Sequence, residues 1–202
     1  MTRPPTRWEL AGERNRGYAE SFATRVADGS DIDGEARLAD AMVPRGARIL
    51  DVGSGMGRVA AALAARGHEV VATEPDAALR EQSRATYADL DVLPHQALDL
   101  PELPGFDLVL LVGNVLIYLG QDTERHVLAH LRSLLAPGGR VLAGFHLHGT
   151  RQGSRVYPAD EFVADVEAAG LRVDWRFGSY ELHPPNDEYA VWVLSAAGGE
   201  PA

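Results

Sequence analysis

A glycine-rich turn at residues 51–58, DVGSGMGR, restricts the folds open to this chain more than any other feature. It follows the apolar run ARIL and precedes the alanine-rich segment VAALAARG, so it stands where a strand passes into a helix. Three glycines at alternate positions in such a turn indicate that a ligand approaches the backbone closely. In an open parallel sheet, ligands bind beyond the carboxyl ends of the strands. The turn therefore predicts an α/β protein whose ligand lies above the first strand.

Strand-like apolar runs alternate with helical patterns through most of the sequence, which favours a parallel sheet with helices on both faces. Gly67 is expected to end the first helix, and Pro137-Gly138-Gly139 the helix before the fifth strand. The predicted strands are 47–53, 68–74, 91–96, 106–113 and 140–148, and the predicted helices between them are 57–67, 75–87 and 122–136.

The two ends of the chain break this alternation. After a predicted helix at 159–170, two apolar runs at 171–180 and 188–196 are separated by a short loop, which indicates a hairpin and hence one antiparallel strand. Two further helices are predicted before the first strand, at 13–29 and 34–43. A chain of 202 residues is expected to form one domain. It would comprise a helical cap (1–45), a cofactor-binding core (46–150) and a C-terminal helix with the hairpin (151–202).

Charge and composition exclude several kinds of partner and chemistry. The formal net charge of −10 disfavours DNA, RNA or an anionic membrane surface and favours a small-molecule partner. All 19 basic residues are arginine, which excludes a Schiff-base lysine. The absence of cysteine excludes disulfides, a thiolate zinc site and a thiol nucleophile. A charged start without a signal-peptide core, and a longest apolar run of only Leu108–Leu119, favour a cytoplasmic location.

Two ligand classes use a glycine turn of this kind, namely dinucleotides and S-adenosylmethionine. The dinucleotide fingerprint G-x-G-x-x-G needs a small third residue for close packing of helix on strand. Here that position is Arg58, which counts against NAD or FAD. Glu74 ends the second strand about 20 residues beyond the turn, where a carboxylate can accept hydrogen bonds from both ribose hydroxyls. The alternative is that Glu74 only caps the following helix.

Several further motifs occur in a fixed order after the turn. ILDVGSGMGR is followed by VVATEPDAAL, by HQALDLPELPGFDLVLLVGNVLIYL and by LAPGGRVLAGF. In this order and spacing the chain, over roughly residues 14–196, resembles the class I S-adenosylmethionine-dependent methyltransferases. The resemblance implies a Rossmann-like α/β fold with a seven-stranded, mostly parallel sheet, a terminal antiparallel strand and helices on both faces.

The same resemblance implies a set of residues that bind the cofactor. Asp51, Gly53 and Gly55 would line the methionine moiety, Glu74 the ribose, and residues 96–98 the adenine. The family commonly has aspartate where this chain has a glutamine, whose carbonyl can still accept a hydrogen bond from the adenine amino group. The full set is Asp51, Gly53, Ser54, Gly55, Glu74, Pro75, Gln96, Ala97, Leu98, Gly113, Asn114 and Tyr18.

Three members of this set have predicted positions other than the methionine, ribose and adenine sites. Gly113 and Asn114, at the end of the fourth strand, match the region where cofactor and acceptor meet. Tyr18, on the helical cap, is proposed as a lid over the cofactor, with a plain core tyrosine as the alternative.

The chain lacks the signatures of several methyltransferase chemistries. The [DN]-P-P-[YF] motif that nucleic-acid amino methyltransferases share is absent, because Asn114 is followed by Val115-Leu116-Ile117. Cytosine carbon methylation uses a cysteine, and the chain has none. Magnesium-dependent enzymes of the catechol type place aspartates at the end of the fourth strand, where this chain has Val112 and Asn114. These absences favour transfer to an oxygen or nitrogen of a small molecule.

Two histidines are candidates for a general base. His146 and His148 lie two residues apart at the carboxyl end of the fifth strand, on the ligand side of the sheet, and histidine is the natural base near neutral pH. The alternative is that they are polar strand-end residues bonded to nearby backbone. A metal site on the same pair lacks an evident third ligand, so no metal is expected.

The resemblance leaves two other functions open. One is a nucleotide-dependent oxidoreductase that uses the same fold, and the other is a regulator that binds S-adenosylmethionine without catalysis. Methyl transfer remains the function that the motifs favour.

Overall fold

The computed structural model describes residues 4–15, 17–101, 103, 105–150 and 153–198. Their strands form a single seven-stranded sheet. The strands are β1 (Arg48–Val52), β2 (Glu69–Thr73), β3 (Val92–Leu93), β4 (Phe106–Leu111), β5 (Leu135–His146), β6 (Leu171–Phe177) and β7 (Tyr189–Ala196). The helices are α1 (Arg7–Ala11), α2 (Tyr18–Ala27), α3 (Gly34–Ala41), α4 (Arg58–Ala65), α5 (Ala77–Thr86), α6 (Glu124–Ser133) and α7 (Ala159–Ala168), with short 3-10 turns at Gly12–Asn15 and Val115–Tyr118.

The strand order is β3-β2-β1-β4-β5-β7-β6, and β7 runs antiparallel to both of its neighbours. The chain moves outward from β1 in one direction to β3 and then returns to place β4 on the other side of β1. The order therefore reverses between β1 and β4, which is where open parallel sheets bind ligands. The predicted mostly parallel sheet with one antiparallel strand is confirmed.

The core has one layer on each face of the sheet, as alternating side chains require. Leu50 of β1 joins the layer under α6 and α7, which contains Leu128 and Phe162. Its neighbour Ile49 points to the opposite layer, where α3 and α4 contribute Ala39 and Leu63. All six of these side chains are fully buried. The two layers hold the sheet rigid, so the carboxyl ends of β1, β2 and β4 form a fixed platform.

The amino-terminal helices differ from the prediction. Instead of one helix at 13–29, α1 and a 3-10 turn precede α2. Thr6 starts α1 with a capping box, in which its hydroxyl accepts a hydrogen bond from the Glu9 amide (3.0 Å) and the Glu9 carboxylate accepts one from the Thr6 amide (2.7 Å). Gly12 and Gly17 have φ of +52° and +80°, which a continuous helix cannot contain.

The helix before β5 is also shorter than predicted. It ends at Ser133, and Leu135 already pairs with Phe106 of β4. The Pro137-Gly138-Gly139 segment consequently lies within β5, next to a shift in the β4–β5 register. Sheet pairing thus takes over residues whose local sequence favours a helix end. Gly67 (φ +90°) follows the last residues of α4 as predicted.

In the described part of the chain, the helices are too short and too polar to cross a bilayer.

Candidate active site

The glycine turn connects β1 to α4 through three left-handed residues. Gly53, Gly55 and Gly57 have φ of +68°, +59° and +82°, values that side-chain-bearing residues rarely adopt. A Cβ on Gly53 would lie 2.8 Å from Cγ2 of Val115, and one on Gly57 would lie 2.4 Å from Cδ2 of Leu90. A Cβ on Gly55 would meet nothing within 4 Å. Two of the glycines are therefore needed for packing, whereas the third faces open space.

That open space belongs to a cavity of about 430 Å³ along the carboxyl ends of the strands. Its volume lies in the range of pockets that bind small ligands. Most of the predicted cofactor-binding residues line it, together with an aromatic group from the amino-terminal helices. The lining includes Trp8, Tyr18, Phe22, Arg25, Gly53, Gly55, Glu74, Pro75, Gln96, Ala97, Gly113, Asn114, Val115, Tyr118, His146 and Thr150.

Glu74 lies at the carboxyl end of β2 with only 5% of its surface exposed. Its carboxylate accepts hydrogen bonds from the Gly55 amide (3.0 Å) and the Asp76 amide (2.8 Å). Burial raises its pKa to about 7. Asp76 itself caps α5, because its side chain accepts hydrogen bonds from the amides of Ala78 and Leu79. The helix therefore has a cap of its own, and Glu74 faces the cavity.

Asp51 lies behind the glycine turn, beside a second cavity of about 50 Å³ that adjoins the first. Its carboxyl atom Oδ2 and the hydroxyl of Ser54 are buried without hydrogen-bond partners among the described residues. Burial raises the pKa of Asp51 to about 7, although the Arg58 guanidinium nearby opposes this rise. Buried polar atoms are normally hydrogen-bonded, so these two atoms beside the cavity are able to bind a polar ligand group.

Arg58, which sequence reasoning used only as evidence against a dinucleotide, has a structural role. Its guanidinium forms a two-pronged ion pair with Glu35 of α3, with one contact at 2.8 Å, and also donates to the Ile32 carbonyl. Glu35 could not be identified from the sequence, because the partners are 23 residues apart and no local pattern connects them. The pair fixes α3 against the start of α4.

The structure places two of the three residues predicted near adenine at the cavity. Gln96 and Ala97 line the cavity next to Pro75, whereas Leu98 does not line it and packs against the core. Gln96 is buried, and its backbone N–H donates a hydrogen bond to the Asp99 carboxylate (2.6 Å). The Nε2 atom of its side chain lies 3.5 Å from the Pro4 carbonyl oxygen.

The turn after β4 contains two more left-handed residues, Gly113 (φ +69°) and Asn114 (φ +79°). The Asn114 side-chain carbonyl accepts a hydrogen bond from the His146 amide (2.9 Å), which joins the ends of β4 and β5. His146 lines the cavity, and its ring packs edge-on against Tyr189, with centroids 4.8 Å apart. His148 lies in the following turn, is exposed and does not line the cavity. The structure thus brings His146, but not His148, to the predicted site.

The amino-terminal helices cover the cavity, a feature that sequence reasoning anticipated only at Tyr18. The indole Nε1 of Trp8 donates to the Asp76 carboxylate (2.7 Å), and the Arg7 guanidinium binds Glu124 (3.0 Å) at the start of α6. The spacing of Tyr18, Phe22 and Arg25 along the chain places all three on one face of α2. This helical spacing is the sequence signal that could have identified that face as part of the site. In the described part of the chain, no group of three histidine or acidic side chains is placed to hold a metal ion.

Comparison with known proteins identifies the family of the chain. A model of the methyltransferase domain matches residues 50–141, which include the glycine turn and β4. An uncharacterized methyltransferase of Mycobacterium tuberculosis is 40% identical over 153 residues, which are 73% of this chain and 75% of that protein. The chain belongs to the methyltransferase family. A solved TehB-like S-adenosylmethionine-dependent methyltransferase of Corynebacterium glutamicum is 32% identical, with a TM-score of 0.80, over 91% of this chain and 98% of that one.

The chain is thus an S-adenosylmethionine-dependent methyltransferase of class I, as its motifs predicted. A more distant structure shares the fold alone. It is the 1,6-didemethyltoxoflavin-N1-methyltransferase of Burkholderia thailandensis, which was solved with 1,6-didemethyltoxoflavin and S-adenosylhomocysteine bound. It is 18% identical, with a TM-score of 0.63, over 98% of this methyltransferase and 92% of that chain.

Proposed function

We propose that this methyltransferase transfers the methyl group of S-adenosylmethionine to an oxygen or nitrogen of a small molecule. One observation carries the proposal: a single cavity connects the buried carboxylate of Glu74 with the ring of His146. A donor held at the first end and an acceptor at the second would share one cavity. The toxoflavin enzyme, which has the same fold, was solved with a small acceptor molecule.

The residues of the glycine turn fit the donor. The unpartnered Oδ2 of Asp51 and the Ser54 hydroxyl provide acceptors for the ammonium group of the methionine moiety. The open space at Gly55 admits the ligand backbone, and Glu74 accepts hydrogen bonds from the ribose hydroxyls. Pro75, Gln96, Ala97 and Leu98 are proposed for the adenine, Gly113 and Asn114 for the boundary between donor and acceptor, and Tyr18 for the lid.

S-adenosylmethionine supplies an electrophilic methyl group on a sulfonium. The protein's contribution to such a displacement is to orient the reactants and exclude water. Trp8, Tyr18 and Val115 line the cavity with apolar side-chain surface that can keep water from the reactants. No charged nucleophile of the protein is required.

Calorimetric titration tests the donor, and transfer of a labelled methyl group tests the acceptor class. We expect S-adenosylmethionine and S-adenosylhomocysteine to bind and NAD not to bind. A screen of metabolites with labelled donor should then yield a methylated small molecule. Binding of NAD without a response to either sulfur compound would contradict the proposal.

The pH dependence of cofactor binding follows from the two raised carboxyl pKa values. Asp51 and Glu74 have pKa values of about 7 in the free protein, so near pH 6 most molecules hold both protons. Binding of the ammonium and ribose groups favours the ionised carboxylates, and so must release those protons. Affinity should therefore rise with pH, by about tenfold between pH 6 and pH 8 for each carboxyl that ionises.

Calorimetry with S-adenosylhomocysteine across this range measures the effect. Asp51→Asn removes one titrating carboxyl while the cofactor's own amino group titrates unchanged, so the variant should show a shallower dependence. An identical pH slope in wild type and Asp51→Asn would exclude Asp51 as the ammonium partner.

His146 is our candidate for the base, because it lines the cavity and His148 does not. If the acceptor must lose a proton, His146→Ala should lower kcat/KM by about 10²- to 10⁴-fold. The pH profile of the rate at saturating S-adenosylmethionine should also differ from that of the wild type. Labelled-methyl assays across pH, with an acceptor from the screen, measure both effects.

His148→Ala is the matched control and should retain wild-type activity. A comparable loss in His148→Ala would transfer the role to that residue. Full activity of His146→Ala with an unchanged pH profile would show that this transfer needs no histidine base.

A further inference from the structure

One face of α2 carries Tyr18, Phe22 and Arg25, which lie four and three residues apart and therefore point the same way. All three line the large cavity. Tyr18 and Phe22 also line the small cavity that holds Asp51, but Arg25 does not. Arg25 is therefore placed at the large cavity and away from the space proposed for the amino-acid end of the donor.

Two guanidinium groups flank Phe22, and they differ in their partners. Arg58 lies 5.5 Å from the ring centroid and is paired with Glu35. Arg25 lies 5.2 Å from the same centroid and has no ion pair with any residue that the structure describes. A guanidinium offers five N–H donors that suit a carboxylate. The donors of Arg25 are therefore available to a ligand.

Aromatic rings continue from Phe22 along the cavity to the loop after β4. Tyr18 lies 5.0 Å from Phe22 and 5.2 Å from Trp8, and Trp8 lies 5.5 Å from Tyr118, measured between ring centroids. The Tyr118 hydroxyl ends this row with a 3.0 Å hydrogen bond to Thr150. The four rings meet at interplanar angles of 53° to 88° and form an aromatic wall (Trp8, Tyr18, Phe22, Tyr118). A further flat ring can pack edge-on or tilted against it, as aromatic pairs prefer.

From this arrangement we infer that the methyl acceptor is a planar aromatic acid, whose ring packs on the aromatic wall and whose anionic group binds Arg25. The inference rests on the proposed function and adds the acceptor's class to it. Among the described residues, Arg25 is the one arginine that lines the cavity, and the one carboxyl group in the lining, Glu74, is hydrogen-bonded to the Gly55 and Asp76 amides. Because the chain has a net charge of −10, an anionic acceptor needs a local cation of this kind.

Binding of paired probes to the protein saturated with S-adenosylhomocysteine tests the inference without a known acceptor. The pairs are benzoate with benzamide and 2-naphthoate with 2-naphthamide, measured by calorimetry. Each acid should bind at least about tenfold more tightly than its amide, since only the acid forms a charge-assisted pair with a guanidinium. Arg25→Gln should remove this preference, and Arg25→Lys should keep part of it.

Arg45→Gln is the matched control, because it removes the same charge at a residue that does not line the cavity. The Arg45 side chain is 82% exposed. This variant should leave the acid preference unchanged. The affinity of Arg25→Gln for S-adenosylhomocysteine should equal that of wild type. Equal binding of acids and amides, absence of acid binding, or a loss of S-adenosylhomocysteine affinity in Arg25→Gln would each overturn the inference. Failure of the wild-type protein to bind S-adenosylhomocysteine would instead contradict the proposed function.

Discussion

Replacing Gly55 by valine should abolish cofactor binding while the protein remains folded. The Cβ position of Gly55 opens onto the cavity with no atom within 4 Å, so the valine side chain would occupy the space proposed for the donor. We expect the affinity for S-adenosylmethionine to fall at least about 100-fold, equivalent to about 2.8 kcal/mol. The left-handed backbone adds a stability cost of about 1–2 kcal/mol. Calorimetry measures the affinity, and thermal unfolding measures the stability.

Gly46→Val separates these two effects. Gly46 also has a left-handed backbone (φ +70°) and open space at its Cβ, but it is exposed and lies outside the cavity lining. This variant should carry a similar stability cost and bind the cofactor normally. Wild-type affinity in Gly55→Val would show that the donor does not pass this glycine.

Replacing Glu74 by alanine should weaken cofactor binding by about 1–3 kcal/mol, a factor of roughly 5 to 150, because the ribose hydroxyls lose their acceptor. The amides of Gly55 and Asp76 lose their acceptor as well, so part of the effect is a less ordered turn. Glu74→Gln keeps the shape of the side chain and one acceptor oxygen, and should lose less affinity. Titration of all variants with S-adenosylhomocysteine gives the comparison.

Two control variants address the helix-cap alternative. Glu69→Ala changes an exposed glutamate at the opposite end of β2 and should leave affinity unchanged. Asp76→Ala removes the observed cap of α5 and should cost about 0.5–2 kcal/mol of stability. Unchanged affinity in Glu74→Ala would limit Glu74 to a structural role.

Much of the fold follows from local sequence. The alternation of β2, α5 and their neighbours was readable because apolar periodicity and helix caps such as Asp76 act over a few residues. Errors occurred where a distant partner overrides the local pattern. Leu135 belongs to a strand because it pairs with Phe106 of β4. The missed helix α1 has a different cause, because its capping box of Thr6 and Glu9 is a local signal that the prediction did not include.

The site shows the same division. Gly53, Gly55 and Glu74 could be located from the sequence, because a strand, a turn and a second strand fix their relative positions within one βαβ unit. His146 and His148 could not be distinguished, because β5 ends between them and the following turn carries His148 to the surface.

By itself, the sequence determined the parts of the proposed donor site: the glycine turn, the carboxylate at the end of β2 and the sheet that places them together. Only the tertiary structure decided the surroundings of these parts. The ion pair of Arg58 with Glu35 beside the small cavity, and the aromatic wall with Arg25 along the large one, join segments far apart in the chain. The physical reason is the distance along the chain over which each interaction acts. Turn and strand geometry depends on neighbouring residues, whereas these contacts form only after the amino-terminal helices pack across the finished sheet.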